Sequence, residues 1–112
     1  MIVSTNDNEK CKFALQELKQ VIDPEIGLNV VDLGLIYTIN FNETDMTIYA
    51  EFSLTTQFCP MGDSIQNAIE EVLITSFPNF KTTLHLTFNP PWNQSMITEQ
   101  GKIFLNKNQC LA

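Results

Sequence analysis

Apolar side chains recur at Cys11, Ala14, Leu15, Leu18, Val21 and Ile22, a spacing of three and four that places them on one face of a helix. Asn6 and Glu9 stand as a capping box ahead of them, so the pattern predicts a helix from Asn6 to Ile22. Asp23-Pro24 stops it, because proline disfavours helical geometry in the residue before it, and Gly27 permits a turn. The period then becomes two: Val31, Leu33, Leu35, Tyr37, Ile39 and Phe41 share one side of a predicted strand, with Asp32 on the other. Asn42-Glu43-Thr44-Asp45 supplies a turn, and Met46, Ile48, Ala50, Phe52 and Leu54 resume the alternation as the second arm of an antiparallel hairpin. Beyond Cys59, Ile65, Ala68, Ile69, Val72, Leu73 and Phe77 form a second helical stripe that ends before Pro78. Thr82 to Phe88 alternates again, with Leu84, Leu86 and Phe88 inward and Thr83, His85 and Thr87 outward, and a short helix is predicted around Thr98 to Leu105.

These elements predict an α+β fold, a small two-layer sandwich of order α-β-β-α-β with a C-terminal tail or short helix and both main helices on one face of the sheet. At 112 residues the chain fits one domain, 1–112, without internal repeat, linker or low-complexity tract. A large substrate would have to be met at its surface.

Charge narrows the partners. Six Lys against 13 Asp plus Glu give a net charge of -7, there is no Arg, and between Lys19 and Lys81 there is no cationic side chain. Asp23, Glu25, Asp32, Glu43, Asp45, Glu51, Asp63, Glu70 and Glu71 fill that interval. Such a surface repels phosphate backbones and anionic lipid, which argues against nucleic-acid and membrane roles. No apolar run approaches the roughly 20 residues of a membrane span, and the first ten residues lack a signal-peptide pattern, so the cytoplasm is the expected location.

Cys11, Cys59 and Cys110 are far apart and odd in number, which fits neither a disulfide framework nor a CxxC metal knuckle. Cys11 reads as core and Cys110 as tail. Pro60 suits the first position of a helix, which puts Cys59 at or next to the N-cap, where unpaired N–H groups and the macrodipole favour the thiolate. Asp63 opposes that by like charge, and a small buried residue packing the turn is the competing reading of Cys59. Asp23, Glu25 and Asp32 could join a thiolate on a metal, although loop carboxylates more often cap or stay solvated. His85 reads as a surface side chain, and Trp92 in Pro90-Pro91-Trp92 as a seal on the core edge or an anchor for a partner. Phosphate-loop, GxSxG and His-rich metal motifs are missing.

Four stretches together carry a resemblance: Val21-Ile22-Asp23-Pro24-Glu25-Ile26-Gly27, Val31-Asp32-Leu33-Gly34-Leu35-Ile36-Tyr37, Leu54-Thr55-Thr56 with Cys59-Pro60-Met61, and Asn89-Pro90-Pro91-Trp92. From about Leu15 to Leu105 the chain resembles the PaaD/SufT-like iron-sulfur cluster assembly family. The resemblance implies an α+β domain that helps deliver clusters to recipient apoproteins through protein contacts, and not an enzyme in the turnover sense. The family cysteine maps onto Cys59, with Asp23, Pro24, Glu25, Asp32, Gly34, Tyr37, Thr55, Pro60, Pro90, Pro91 and Trp92 as motif positions. Gln57 stands where the family often has proline, and Ser95 where an aspartate often precedes the methionine after the tryptophan.

The implied cargo is transient iron or an iron-sulfur cluster, and the implied partners are assembly proteins and recipient apoproteins. A typical cluster takes four cysteine ligands. Binding by Cys59 would therefore need ligands from a second subunit in a homodimer, from a partner, or from Glu25 or Asp32. Three other readings stay open: a dedicated accessory to a multicomponent aromatic-ring oxygenase, a structural interaction domain, and a one-cysteine redox protein with a Cys59 pKa well below about 8.5.

Overall fold

A computed structural model describes residues 3–56 and 62–110, the side chains of 107–110 excepted. Strand β1 (Ser4–Thr5) leads into helix α1 (Asn8–Leu18), then come strands β2 (Ile36–Asn42) and β3 (Thr47–Phe52), helix α2 (Gly62–Ser76), strand β4 (Lys81–Leu86), a 3-10 turn (Gln94–Met96) and helix α3 (Glu99–Cys110). The strands form one mixed sheet in the order β1-β2-β3-β4. The predicted α+β sandwich is thus present, with β1 added at one edge and α3 longer than expected.

The core follows from the alternation. Ile39 pairs with Ala50 and Phe41 with Ile48 across the antiparallel β2–β3 ladder, so the four side chains share a face. All four are buried, together with Phe52, and they pack with Cys11, Ala14 and Leu18 of α1 and Ile65, Ile69 and Leu73 of α2. Full burial of each such large side chain is worth about 1.5–3 kcal/mol. The other face carries Thr38, Asn40, Tyr49, Glu51, Thr83 and His85 and is exposed or half-exposed. At the hairpin end, Phe13, Phe41, Phe77 and Phe80 meet edge to face, with ring centroids 5.1 to 6.1 Å apart.

Several boundaries depart from the sequence pattern. Helix α1 is capped by Asp7, which accepts from the Lys10 N–H at 3.0 Å. Asn6 instead pairs its amide with both backbone groups of Phe41, at 2.7 and 2.8 Å, extending the sheet edge beyond β1. The helix ends at Leu18 because Val21 and Asp23 exchange backbone bonds with Val30 and Leu28 around a bridge between Ile22 and Asn29. Ile22, expected on the apolar face, is 49% exposed. The predicted strand over 31–41 begins only at Ile36, since residues 31–34 coil into a turn closed by Leu33 N–H to Asn29 O and Leu35 N–H to Val30 O. Asp32 therefore sits in a turn, not on the outer side of a strand. The register shifts between Ile36 and Thr38, so Ile36 and Tyr37 are both buried. In β4, Leu84 is half-buried and Leu86 is 37% exposed, because this strand is an edge and α2 covers it only partly.

Phe52 sits at 1% exposure at the centre of this packing. Phe52→Ala is expected to lower the unfolding free energy by about 3–5 kcal/mol in a urea titration, the usual cost of emptying a buried aromatic site.

Candidate functional site

The end of the sheet opposite the aromatic cluster gathers the start of β2, the ends of β3 and β4 and the first turn of α2. Ser53 N–H bonds Leu35 O at 2.8 Å and Thr87 N–H bonds Phe52 O at 2.9 Å, which ties these strand ends together. A Cβ on Gly62 would come within 2.9 Å of Leu54 Cδ1, so α2 starts directly against the strand exit. The chain leaves the described part at Thr56 and returns at Gly62. Cys59 and Pro60, the expected functional thiol and its helix-starting proline, lie outside the described residues.

The motif stretches converge on this end. Asp23 is 1% exposed, and its Oδ1 accepts from the Glu25 N–H at 2.9 Å while its carbonyl accepts from Ile26 and Gly27. This turn buries Asp23 and leaves Pro24 and Glu25 exposed. Gly27 closes it at a φ of +85°, in the left-handed region that glycine enters without penalty. Thr55 is half-buried at the exit of β3.

The Asp32–Tyr37 stretch holds the segment that follows β4. Trp92 Nε1 donates to Leu33 O at 2.6 Å, and Tyr37 OH donates to Pro90 O at 2.9 Å and lies 3.7 Å from Met96 Sδ. The Asn89-Pro90 peptide is cis. Gly34 has a φ of +80°, and a Cβ there would overlap the Met96 carbonyl oxygen and approach its carbonyl carbon to 2.9 Å. Asp32 is equally committed: Oδ2 accepts from Asn29 Nδ2 at 2.7 Å, Oδ1 from Thr98 Oγ1 at 2.9 Å, and its carbonyl from Thr98 N–H at 2.8 Å. Thr98 in turn caps α3, accepting from the Gly101 N–H at 3.1 Å. Trp92 thus covers a core edge and spends its indole N–H on the Leu33 carbonyl.

Sequence reasoning overlooked Asn29, Met96 and Thr98 as partners. Asn29 three residues before Asp32 is an Asx-turn signal, and Thr98 ahead of Glu99 an N-cap signal. The contacts between Gly34 and Met96 and between Thr98 and Asp32 span 62 and 66 positions and have no local signature.

As chemistry, the described groups are a scaffold. Among the described residues no three His, Cys, Asp or Glu side chains gather as a metal site. Of the carboxylates singled out, Glu25 is the one left exposed. Cys11 is buried on α1, and desolvation raises its thiol pKa above the ordinary range, against a smaller lowering by the Thr5 side chain. Cys11 therefore stays protonated and inert near neutral pH.

Residues 14–84 match the family model described as an iron-sulfur cluster assembly protein. The chain belongs to this iron-sulfur cluster assembly family. It is 35% identical over 89 residues to the Fe-S protein maturation auxiliary factor YitW of Bacillus subtilis, covering 79% of this chain and 85% of the relative. It is also 35% identical over 86 residues to the Fe-S protein maturation auxiliary factor SufT of Staphylococcus aureus, covering 76% and 96%. A crystal structure of a domain of unknown function from Bacillus anthracis superposes with a TM-score of 0.79 at 30% identity, covering 85% of this chain and 90% of that one. A conserved hypothetical protein of Thermotoga maritima gives a TM-score of 0.70 at 30% identity, covering 89% and 93%.

Gly34→Ala is expected to cost about 2–5 kcal/mol in chemical denaturation, since it adds left-handed strain to a clash with backbone. Thr98→Ala removes a cap and a hydrogen bond but creates no clash. It is expected to cost about 1–2 kcal/mol and to speed amide exchange in the first turn of α3, measured by hydrogen-deuterium exchange.

Proposed function

We propose that this chain is an auxiliary factor in the maturation of iron-sulfur proteins, working through protein contacts, with Cys59 as its reactive or ligating thiol. The carrying observation is the family membership over most of the chain, together with relatives that bear that role in their names at 35% identity and near full length. The fold is consistent with it. The Asp23, Asp32 and Trp92 stretches build one hydrogen-bonded end of the sheet, and the described chain breaks off at Thr56 and resumes at Gly62 at that end, on either side of Cys59. Loops held by a stiff scaffold are where binding groups usually sit.

The ligand arithmetic supports a shared site. The sequence has three cysteines, and Cys11 is closed in the core. A resident cluster held in the usual way by four thiolates would need groups from elsewhere. Asp32 spends both carboxylate oxygens on Asn29 and Thr98, so of the two carboxylates the exposed Glu25 is the one available to assist Cys59. Iron or a cluster is then cargo, held briefly between this chain and an assembly protein or recipient. Turnover chemistry is not needed for that role. No helix among the described residues is long and apolar enough to cross a membrane, which agrees with work on soluble partners in the cytoplasm.

The test is aconitase activity, which depends on a cluster, in cells lacking this protein and supplied with either the native chain or Cys59→Ser, at matched aconitase levels. Activity should fall without the protein and recover only with the native chain. Normal activity in its absence would remove the general maturation role, and full rescue by Cys59→Ser would remove the thiol from it.

A further inference from the structure

Strand β4 is the outer strand on one side of the sheet. Its parallel ladder with β3 runs unbroken from the Thr47–Lys81 pair to the Phe52–Leu86 pair. The flanking bonds, Lys81 N–H to Met46 O at 2.8 Å and Thr87 N–H to Phe52 O at 2.9 Å, fix which residues turn inward. In a parallel pair every second residue points both of its backbone groups at the neighbouring strand. Lys81, Thr83, His85 and Thr87 therefore spend theirs on β3, while Thr82, Leu84 and Leu86 point theirs away from the sheet. No other group among the described residues takes these up. The edge at the far side differs: β1 is two residues long, and Asn6 prolongs it by clasping both backbone groups of Phe41. A bulge, a proline or an inward-pointing charge usually protects an edge, and Thr82 to Leu86 has none of them.

We propose that β4 pairs with β4 of a second copy of this chain, antiparallel about a two-fold axis at Leu84, joining the two sheets into one. The strand is complementary to itself in this register, as an interface between identical surfaces requires. Leu84 faces Leu84 of the second copy and Thr82 faces Leu86, so every outward N–H meets an outward C=O. Moving the axis to Thr83 or His85 would leave Leu86 or Thr82 beyond the end of the other β4. The side chains match as well. Leu84 is half-buried and Leu86 is 37% exposed on the helix face, and pairing covers both beside the core. On the open face Thr83 meets His85, and Lys81 meets Thr87 instead of another cation. The chain has a net charge of -7, yet no Asp or Glu occurs from Val72 to Thr98, so two copies meet here without a carboxylate on either paired strand. Because the strands run in opposite directions, the candidate ends of the two copies point opposite ways along the joint sheet.

The experiment is sedimentation velocity on the whole chain over a concentration series. The native chain should form a dimer whose fraction rises with concentration, since a seam of one strand pair is a small interface. Amide exchange in the 82–86 segment should slow over the same series. Thr83 and His85 are exposed, so charges placed there leave the monomer's packing intact. Thr83→Lys with His85→Lys opposes like charges across the seam, as does Thr83→Glu with His85→Glu. Each double variant should weaken the dimer about tenfold or more while its circular dichroism stays native. An equimolar mixture of the two should dimerise again, because Lys then faces Glu. Lys12→Glu, exposed on α1, should leave the dimer as it is in the native chain. A dimer indifferent to both double variants, or double variants that fail to recombine, would overturn the inference. So would a native chain that stays monomeric throughout, which would leave the edge to an extended segment of a different protein.

Discussion

Gly34 lies under the carbonyl of Met96 with its backbone in the left-handed region, and much of one end of the molecule is built around that contact. With no Cβ at this point, the turn over residues 31–34 and the 3-10 turn over 94–96 meet backbone to backbone. The approach also lets Trp92 reach the Leu33 carbonyl, Tyr37 the Pro90 carbonyl and Thr98 the Asp32 carboxylate. Each bond alone is worth about 0.5–1.5 kcal/mol, and more where the acceptor is charged. Acting together on one short segment, they convert a tail into part of the fold.

That arrangement changes how the motif residues should be understood. Asp32, Gly34, Tyr37, Pro90 and Trp92 look like site residues when strung along a chain, yet each contributes a packing or hydrogen-bonding contact within the scaffold. Asp23 does the same for its own turn, through its carboxylate and its carbonyl. What they hold in place is the 31–34 turn, the segment after β4 and the start of α3.

The sequence by itself determined the sandwich. The period-three-and-four stripes of α1 and α2 and the period-two runs of β2 and β3 place the side chains that are buried, because burying those faces dominates the folding energy. A local signal also marked the stop before Pro78, with α2 ending at Ser76. The motif stretches stood out along the chain, though their geometry did not. Only the tertiary structure decided that α1 ends at Leu18, that 31–34 is a turn, that Asn6 pairs with Phe41 rather than capping a helix, and that Asp32 is a clamp for Thr98. In each case a contact made across the fold outweighs a local preference of comparable or smaller energy: a bridge from Ile22 to Asn29, a backbone laid against Gly34, a sheet edge seeking a partner. Such contacts join residues tens of positions apart, and the periodicity of a single chain holds no record of them.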